Sequence, residues 1–278
     1  MYKKLAESVR KCRRIFVLTG AGLSAPSNIP TFRGEDGMWT TMATNGMEPT
    51  ELLTKMMLDT NAKLIWNWFV GFNKLLNIAK PNEGHKALLK WQEHCKIKDI
   101  DFTLVTQNID NFHSQLIRNS SILKPNLAHK EGTYEYGFTD GLIEIHGNAS
   151  YMRCNEECSH GFYAMPKALD YDMVPRCKKC GKNMRPHTLM FDEVYRDDYY
   201  QSLAAVKRAH LADCMLIIGS ELQTHLPNVM AYEHVYDNKL TIEINPRQVI
   251  NCDGSNVVSI SESCEKSLPA LIGEITQN

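Results

Sequence analysis

A chain of 278 residues with 43% hydrophobic content is long enough to bury one large core with a smaller satellite. Its 31 Lys and Arg against 32 Asp and Glu leave a formal net charge of −1, so it lacks the global positive field on which sequence-independent nucleic-acid binding rests. The most apolar windows, Ile15 to Leu18 and Met215 to Ile218, are strand-sized and too short to span a bilayer. With no signal peptide evident, a soluble cytoplasmic or nuclear protein with no direct nucleic-acid or membrane partner is expected.

The basic start, Lys3, Lys4, Arg10, Lys11, Arg13 and Arg14, carries Leu5, Val9 and Cys12 at helical spacing, which predicts a solvated first helix rather than a targeting segment. Five short apolar runs then alternate with helical stretches: 15–19, 102–106, 142–145, 214–218 and 240–244. Each ends at Gly, Asn or a polar turn, and most read as buried on both faces, the pattern of a doubly wound parallel α/β sheet. Two stretches of different character interrupt it. Met38 to Lys80 is rich in Met, Leu, Trp and Asn with helical period, and the segment after the third strand holds four cysteines. The expected division is a Rossmann-like unit of 1–37, 85–150 and 186–278, with a helical module (38–84) and a zinc module (151–185) forming a small second domain across a cleft.

The first strand runs into Thr19-Gly20-Ala21-Gly22-Leu23-Ser24. Two glycines after a strand let backbone amides approach a pyrophosphate at a helix start. The third glycine of GxGxxG is missing, and no acidic residue closes a second strand at the usual distance, so a plain structural turn stays open. Beyond it, Phe32 and Arg33 offer an aromatic ring and a guanidinium able to clamp a phosphate. The second strand ends in Gln107-Asn108-Ile109-Asp110, whose polar side chains would face the same crevice, because ligands of open α/β sheets bind at strand carboxyl ends. Helix capping by Asn108 or Asp110 is the alternative.

After the third strand comes His146, then Cys154 and Cys158 with three residues between them, and Cys177 and Cys180 with two. Paired thiolates on short turns suit a closed tetrahedral zinc site, which leaves no position for a catalytic water and so serves structure. Two disulfides are the competing reading, disfavoured by a reducing compartment. Cys12, Cys95, Cys214, Cys252 and Cys264 show no such pairing and are expected to pack as small apolar residues. Any one of ten histidines is by default a core residue, but His146 stands at a strand end beside the expected crevice.

In their order, GAGLSAPSNIPTFRG, TQNIDNFH, the IHG ahead of the cysteines, RPHTLMFDE (185–193), GSE (219–221) and INP (244–246) resemble the successive motifs of the sirtuin (Sir2) family of NAD-dependent protein deacylases. The resemblance spans nearly the whole chain. It implies that Gly20, Ala21, Gly22 and Ser24 cradle the NAD pyrophosphate, with Phe32 over the nicotinamide ribose and Arg33 in the same loop. It further implies that Asn108, Ile109 and Asp110 line the nicotinamide pocket, with Gln107 and His146 at the ribose hydroxyls. The adenosine half would meet Gly219, Ser220, Glu221, Asn245 and Cys264. His146, titrating near working pH, would be the general base and Asn108 the second catalytic residue. NAD and one structural zinc are the implied cofactors, and an acyl-lysine protein or peptide the implied partner.

Several positions depart from that pattern. Thr31 stands where many members carry aspartate, a substitution the resemblance associates with the branch that removes acidic acyl groups and reads them with a tyrosine and an arginine three residues apart. Counting back from Pro81-Asn82-Glu83-Gly84-His85 places Phe69 and Phe72 there. A buried acidic acyl group would lose its ion pair, so acetyl or longer apolar acyl groups are expected, received by Trp66, Trp68, Phe69 and Phe72 unless these only form the helical core. Asp192 replaces a usual glycine in the loop that pairs with substrate backbone, and the loop after Gly219 is one residue longer than usual before Pro227. Protein mono-ADP-ribosyl transfer or NAD hydrolysis in the same cleft is the alternative activity. Oligomeric state is not legible.

Overall fold

The five apolar runs lie side by side in one sheet. The computed structural model describes residues 1–31, 47–123, 129–130, 133–134, 141–159, 161–167, 169–251 and 256–277. Along them the strands are β1 (Arg14–Thr19), β2 (Asp101–Thr106), β3 (His129–Lys130), β4 (Thr133–Tyr134), β5 (Leu142–Glu144), β6 (Gly147–Cys154), β7 (Phe162–Ala164), β8 (Met184–Thr188), β9 (Cys214–Ile218), β10 (Leu240–Ile244) and β11 (Val257–Ile260). Phe32, Arg33 and Cys252, singled out in the sequence, lie outside the described residues.

Six strands form a parallel sheet in the order β11-β10-β9-β1-β2-β5. Renumbered within the sheet this is the 3-2-1-4-5-6 order of dinucleotide-binding folds, with the chain reversing direction of winding between β1 and β9. β11 was not among the expected strands. It is an edge strand with only Ile260 fully buried, so it shows no apolar run. Alternate residues serve two cores. Val17, Leu104, Leu216 and Ile242 pack under helices Tyr2–Val9, Glu83–Ile97 and Cys264–Thr276, whereas Phe16, Leu18, Val105 and Ile217 pack under Ser202–Leu211 and His225–Tyr236. Covering both faces is what makes these strands read as continuous hydrophobic runs, each buried aliphatic side chain contributing roughly 1.5–3 kcal/mol.

The register puts the functional loops together. Thr19 pairs with Thr106 and Ile218, Thr106 with Glu144, and Ile218 with Ile244, so Gly20, Gln107, Ile145, Gly219 and Asn245 all leave the sheet at one edge.

The second sheet has the order β3-β4-β7-β6-β8 and is antiparallel. Its strands β6 and β8 reach from Gly147 to Thr188, so it begins inside the stretch read as Rossmann-like, and it also takes in β3 and β4. Against it packs the helical module. In helix Ala62–Ile78, Ile65, Trp66, Trp68, Phe69 and Phe72 are buried at 3.6-residue spacing against Leu52, Leu58, Met184 and Met190. Thr54 caps the preceding helix Lys55–Thr60 by accepting from the Met57 amide at 3.0 Å. Among the described residues no helix is long and apolar enough to cross a membrane.

Candidate active site and metal centre

The glycine loop is built by close approach of two backbones. Gly20 N–H donates to Ile218 O at 2.9 Å and Gly22 N–H to Gly219 O at 2.8 Å. A Cβ on Gly22 would stand 2.7 Å from Gly219 Cα, and Gly219 itself adopts φ +60°, so side chains are excluded from both loops. The close-approach role of a GxGxxG glycine is thus taken by Gly219 from a distant loop. The chain after β1 does not enter a long helix. It makes two 3-10 turns, Ala21–Leu23 and Ala25–Ser27, because the Leu23 and Ser24 amides turn back on Gly20 and Ala21 and Asn28 leaves the second turn at φ 61°. Asn82, capping helix Glu83–Ile97, pins this loop by donating to Leu23 O at 2.8 Å and Ser27 Oγ at 3.0 Å.

Asn108 and Asp110 both turn toward that loop. Asn108 Nδ2 donates to Gly20 O (3.0 Å) and Ser24 Oγ (3.1 Å), and Ser24 Oγ donates to Asp110 Oδ2 at 2.6 Å. Asp110 also accepts the Phe112 amide at 2.9 Å, so one carboxylate holds both the glycine loop and the first amide of helix Phe112–Arg118. Burial raises its pKa against the opposing pull of Ser24 and Phe112. His85 stands 3.4 Å from Ser24 Oγ, and burial holds its imidazole well below the ordinary value, so it is a neutral partner.

His146 follows β5 and is part-buried. Its Nδ1 lies 2.9 Å from the Gln107 carbonyl, which can only accept, so Nδ1 carries the proton and Nε2 is the basic nitrogen. At 2.8 Å from Nε2 is the Tyr195 hydroxyl, which therefore donates to it. Burial drives the imidazole down to about 4 against the Gln107 hydrogen bond, keeping the ring neutral at physiological pH. The Tyr195 phenol is pushed up to about 12 by burial, with neighbouring Thr224 opposing. Thr224 Oγ1 also meets Gln107 Oε1 at 3.2 Å, and Gln107 Nε2 donates to Ser220 Oγ at 2.7 Å. Asn245 steadies Ser220 from β10 by donating to its carbonyl at 3.2 Å, and is itself held by buried Glu243 at 2.9 Å. Cys264 is buried with its thiol 3.5 Å from Gly22 O, whereas Glu221 is exposed.

The loop carrying Tyr195 is clamped. Arg185, 1% exposed, donates from Nη2 to Glu193 Oε2 at 2.6 Å and to Thr188 O at 3.0 Å. Asp192 accepts the Lys55 amide at 2.6 Å and the Met56 amide at 3.1 Å. It caps helix Lys55–Thr60 and fastens the loop to the helical module, a tie reinforced by Phe191 N–H to Leu53 O at 3.0 Å.

The sulfurs of Cys154, Cys158, Cys177 and Cys180 all lie within 4.8 Å of one another, with Cys154–Cys180 at 3.5 Å and Cys158–Cys177 at 3.4 Å. These exceed the ~2.05 Å of a disulfide and approach the ~3.8 Å edge of a tetrahedron with Zn–S bonds near 2.3 Å. Backbone amides of Cys180 and Lys179 lower the Cys177 thiol to about 6, favouring the thiolate a zinc ion requires. The cluster fits one structural zinc ion.

The Sir2 family model matches residues 20–122 and 127–225. An NAD-dependent protein deacylase of Aquifex aeolicus is 32% identical over 234 residues, 84% of each chain. The chain belongs to the Sir2 family. An NAD-dependent protein deacylase of Leptospira interrogans is 30% identical over 268 residues, covering 96% of this chain and 95% of the relative. The crystal structure of a Sir2 homolog–NAD complex shares the fold with a TM-score of 0.76 at 23% identity, covering 98% of this chain and 93% of that one.

Within this Sir2 chain the structure brings together Gly20, Gly22, Ser24, Gln107, Asn108, Asp110, His146, Gly219, Ser220 and Asn245 at one sheet edge. Trp66, Trp68, Phe69 and Phe72 are instead packed inside the small domain, each 3% exposed or less, with Trp66 donating to Met184 O at 3.0 Å. Their cluster runs on through Ile29 and Phe112 to the partly buried Ile109 beside Asn108. Sequence reasoning passed over Tyr195 and Thr224, which stand on loops with no motif of their own. The signal available was only that a phenol follows closely on the RPHTLMFDE run.

Proposed function

We propose that this Sir2 protein is an NAD-dependent protein lysine deacylase acting on acetyl or longer apolar acyl groups. The observation that carries the reading is a neutral His146 whose Nδ1 is fixed on Gln107 and whose Nε2 is left basic beside the glycine loop and Asn108. NAD, consumed as co-substrate, supplies the ribose carbon that accepts the acyl oxygen and the nicotinamide that leaves. The loop Gly20 to Ser24 holds its pyrophosphate, with Phe32 and Arg33 following. Asn108, Ile109 and Asp110 shape the nicotinamide pocket, and Gly219, Ser220, Glu221, Asn245 and Cys264 take the adenosine half. Holding acyl-lysine in line with the ribose supplies the proximity term, and His146 then takes the ribose hydroxyl proton so that the oxygen can attack the acyl carbon. Free lysine, nicotinamide and O-acyl-ADP-ribose are the products.

The acyl-lysine protein enters between the parallel-sheet unit and the small unit formed by the helical module and the second sheet. Uncharged Phe69 and Phe72, continuous with Ile29 and Ile109, favour apolar acyl chains over acidic ones. A four-thiolate zinc site suits a reducing compartment, the cytoplasm or nucleus. Incubation with radiolabelled NAD and acyl-lysine peptides tests the reading. Label in O-acyl-ADP-ribose is expected, and label retained on protein, or in free ADP-ribose regardless of peptide, would replace it with transfer or hydrolysis.

A further inference from the structure

We propose that Tyr195 is a second proton-handling residue of the reaction, passing the ribose hydroxyl proton on to His146. The inference rests on the deacylase reading and adds the route by which its base is reached. Both ring nitrogens of His146 are occupied: Nδ1 by the Gln107 carbonyl at 2.9 Å and Nε2 by the Tyr195 hydroxyl at 2.8 Å. A ribose hydroxyl therefore meets the basic nitrogen only through Tyr195, or after Tyr195 has moved away.

The structure favours the first route, because Tyr195 is held from several sides. Its ring lies 5.9 Å from the imidazole at 32° and packs against the core beneath Ser202–Leu211 and His225–Tyr236. Its hydroxyl lies beside Thr224, whose own proton goes to Gln107 Oε1 at 3.2 Å, and the Gln107 carbonyl in turn holds His146 Nδ1 at 2.9 Å. The neighbouring Glu193 and Asp192 fasten the same loop to Arg185 and to helix Lys55–Thr60. A phenol is suited to the task, since its oxygen accepts one hydrogen bond while its proton is donated in another. In the step, the ribose O–H proton moves to Tyr195 Oη as the Tyr195 proton moves to His146 Nε2. One O–H bond breaks and another forms at Tyr195, which ends unchanged. The ribose oxygen gains the electron pair for attack and His146 becomes imidazolium.

Tyr195→Phe keeps the ring and deletes the hydroxyl. In the full chain it is expected to slow O-acyl-ADP-ribose formation about 100-fold, within the range of a lost acid–base group. Exchange of labelled nicotinamide into NAD in the presence of acyl peptide needs no transfer to His146 and should stay within about threefold of wild type. In the protein without NAD, the nitrogen NMR signal of His146 Nε2 should shift downfield in the variant as its hydrogen bond is lost. Product formation at the wild-type rate or faster, an unmoved Nε2 signal, or loss of nicotinamide exchange along with product would each overturn the proposal. His146→Ala run alongside separates the two readings. If it forms product normally, the deacylase base is wrong, whereas if it is inactive and Tyr195→Phe is not, only the Tyr195 route fails.

Discussion

Replacing Glu193 by alanine should destabilise the fold by about 3–5 kcal/mol, the usual consequence of stripping the partner from a buried charge. Arg185 is 1% exposed and the Glu193 side chain 20%, so the guanidinium has almost no water to fall back on. Burial alone would raise the Glu193 pKa, yet the hydrogen bonds and charge of Arg185 outweigh it and leave the carboxyl below its usual range. After the substitution Arg185 retains the Thr188 carbonyl at 3.0 Å, and the Met190 amide loses its acceptor at 3.0 Å. Urea unfolding followed by tryptophan fluorescence would read the change, since Trp66 is bonded to Met184 next to Arg185. With a slope of about 3 kcal/mol per molar urea, the midpoint should fall by about 1–1.7 M. The paired change Arg185→Met with Glu193→Leu removes both charges and should recover most of the loss. A midpoint shift below about 0.3 M for Glu193→Ala would show that Arg185 is solvated and that the pair does not clamp the loop.

Gly22→Ala should weaken NAD binding at least about tenfold by calorimetry, through its clash with Gly219, while Gly273→Ala, with nothing within 4 Å of the new methyl, should leave affinity unchanged and add roughly 0.5–1 kcal/mol of helix stability; equal affinities would refute the close-approach argument. Burial holds His85 and His187 well below the ordinary histidine range and His113 at about 3, so the unfolded chain binds the extra protons below about pH 6.5. Stability should thus be complete above that pH and fall on acidification, with a slope approaching about 4 kcal/mol per pH unit for three such groups, and a melting temperature flat from pH 7.5 to 5 would contradict it. Elemental analysis should find one zinc per chain, with chelation or Cys177→Ser loosening the second sheet in hydrogen exchange; a metal-free protein with equal protection would exclude the structural zinc.

What the sequence disclosed follows from how locally each feature is written. β1, β2 and β9 were legible because helices cover both faces and force unbroken apolar runs, whereas β11, buried only at Ile260, leaves no such trace. The cysteine pairs were legible because ligand spacing on a turn is a short-range property. The partnership of Gly22 with Gly219 was not, since it depends on parallel register between β1 and β9 rather than on neighbouring residues. Likewise Asp192 read as a departure near the substrate, but its carboxylate caps a helix that only the tertiary fold brings beside it. The aromatic run of helix Ala62–Ile78 carried two meanings in sequence, and its depth in the small-domain core is a matter of packing.

Nicotinamide release by the purified protein with NAD, measured with and without a panel of acyl-lysine peptides, tests the deacylase account most directly. The account predicts release that depends on the peptide, is strongest with apolar acyl groups, and yields no O-acyl-ADP-ribose once His146 is replaced by alanine. Release at the same rate with and without peptide would contradict it.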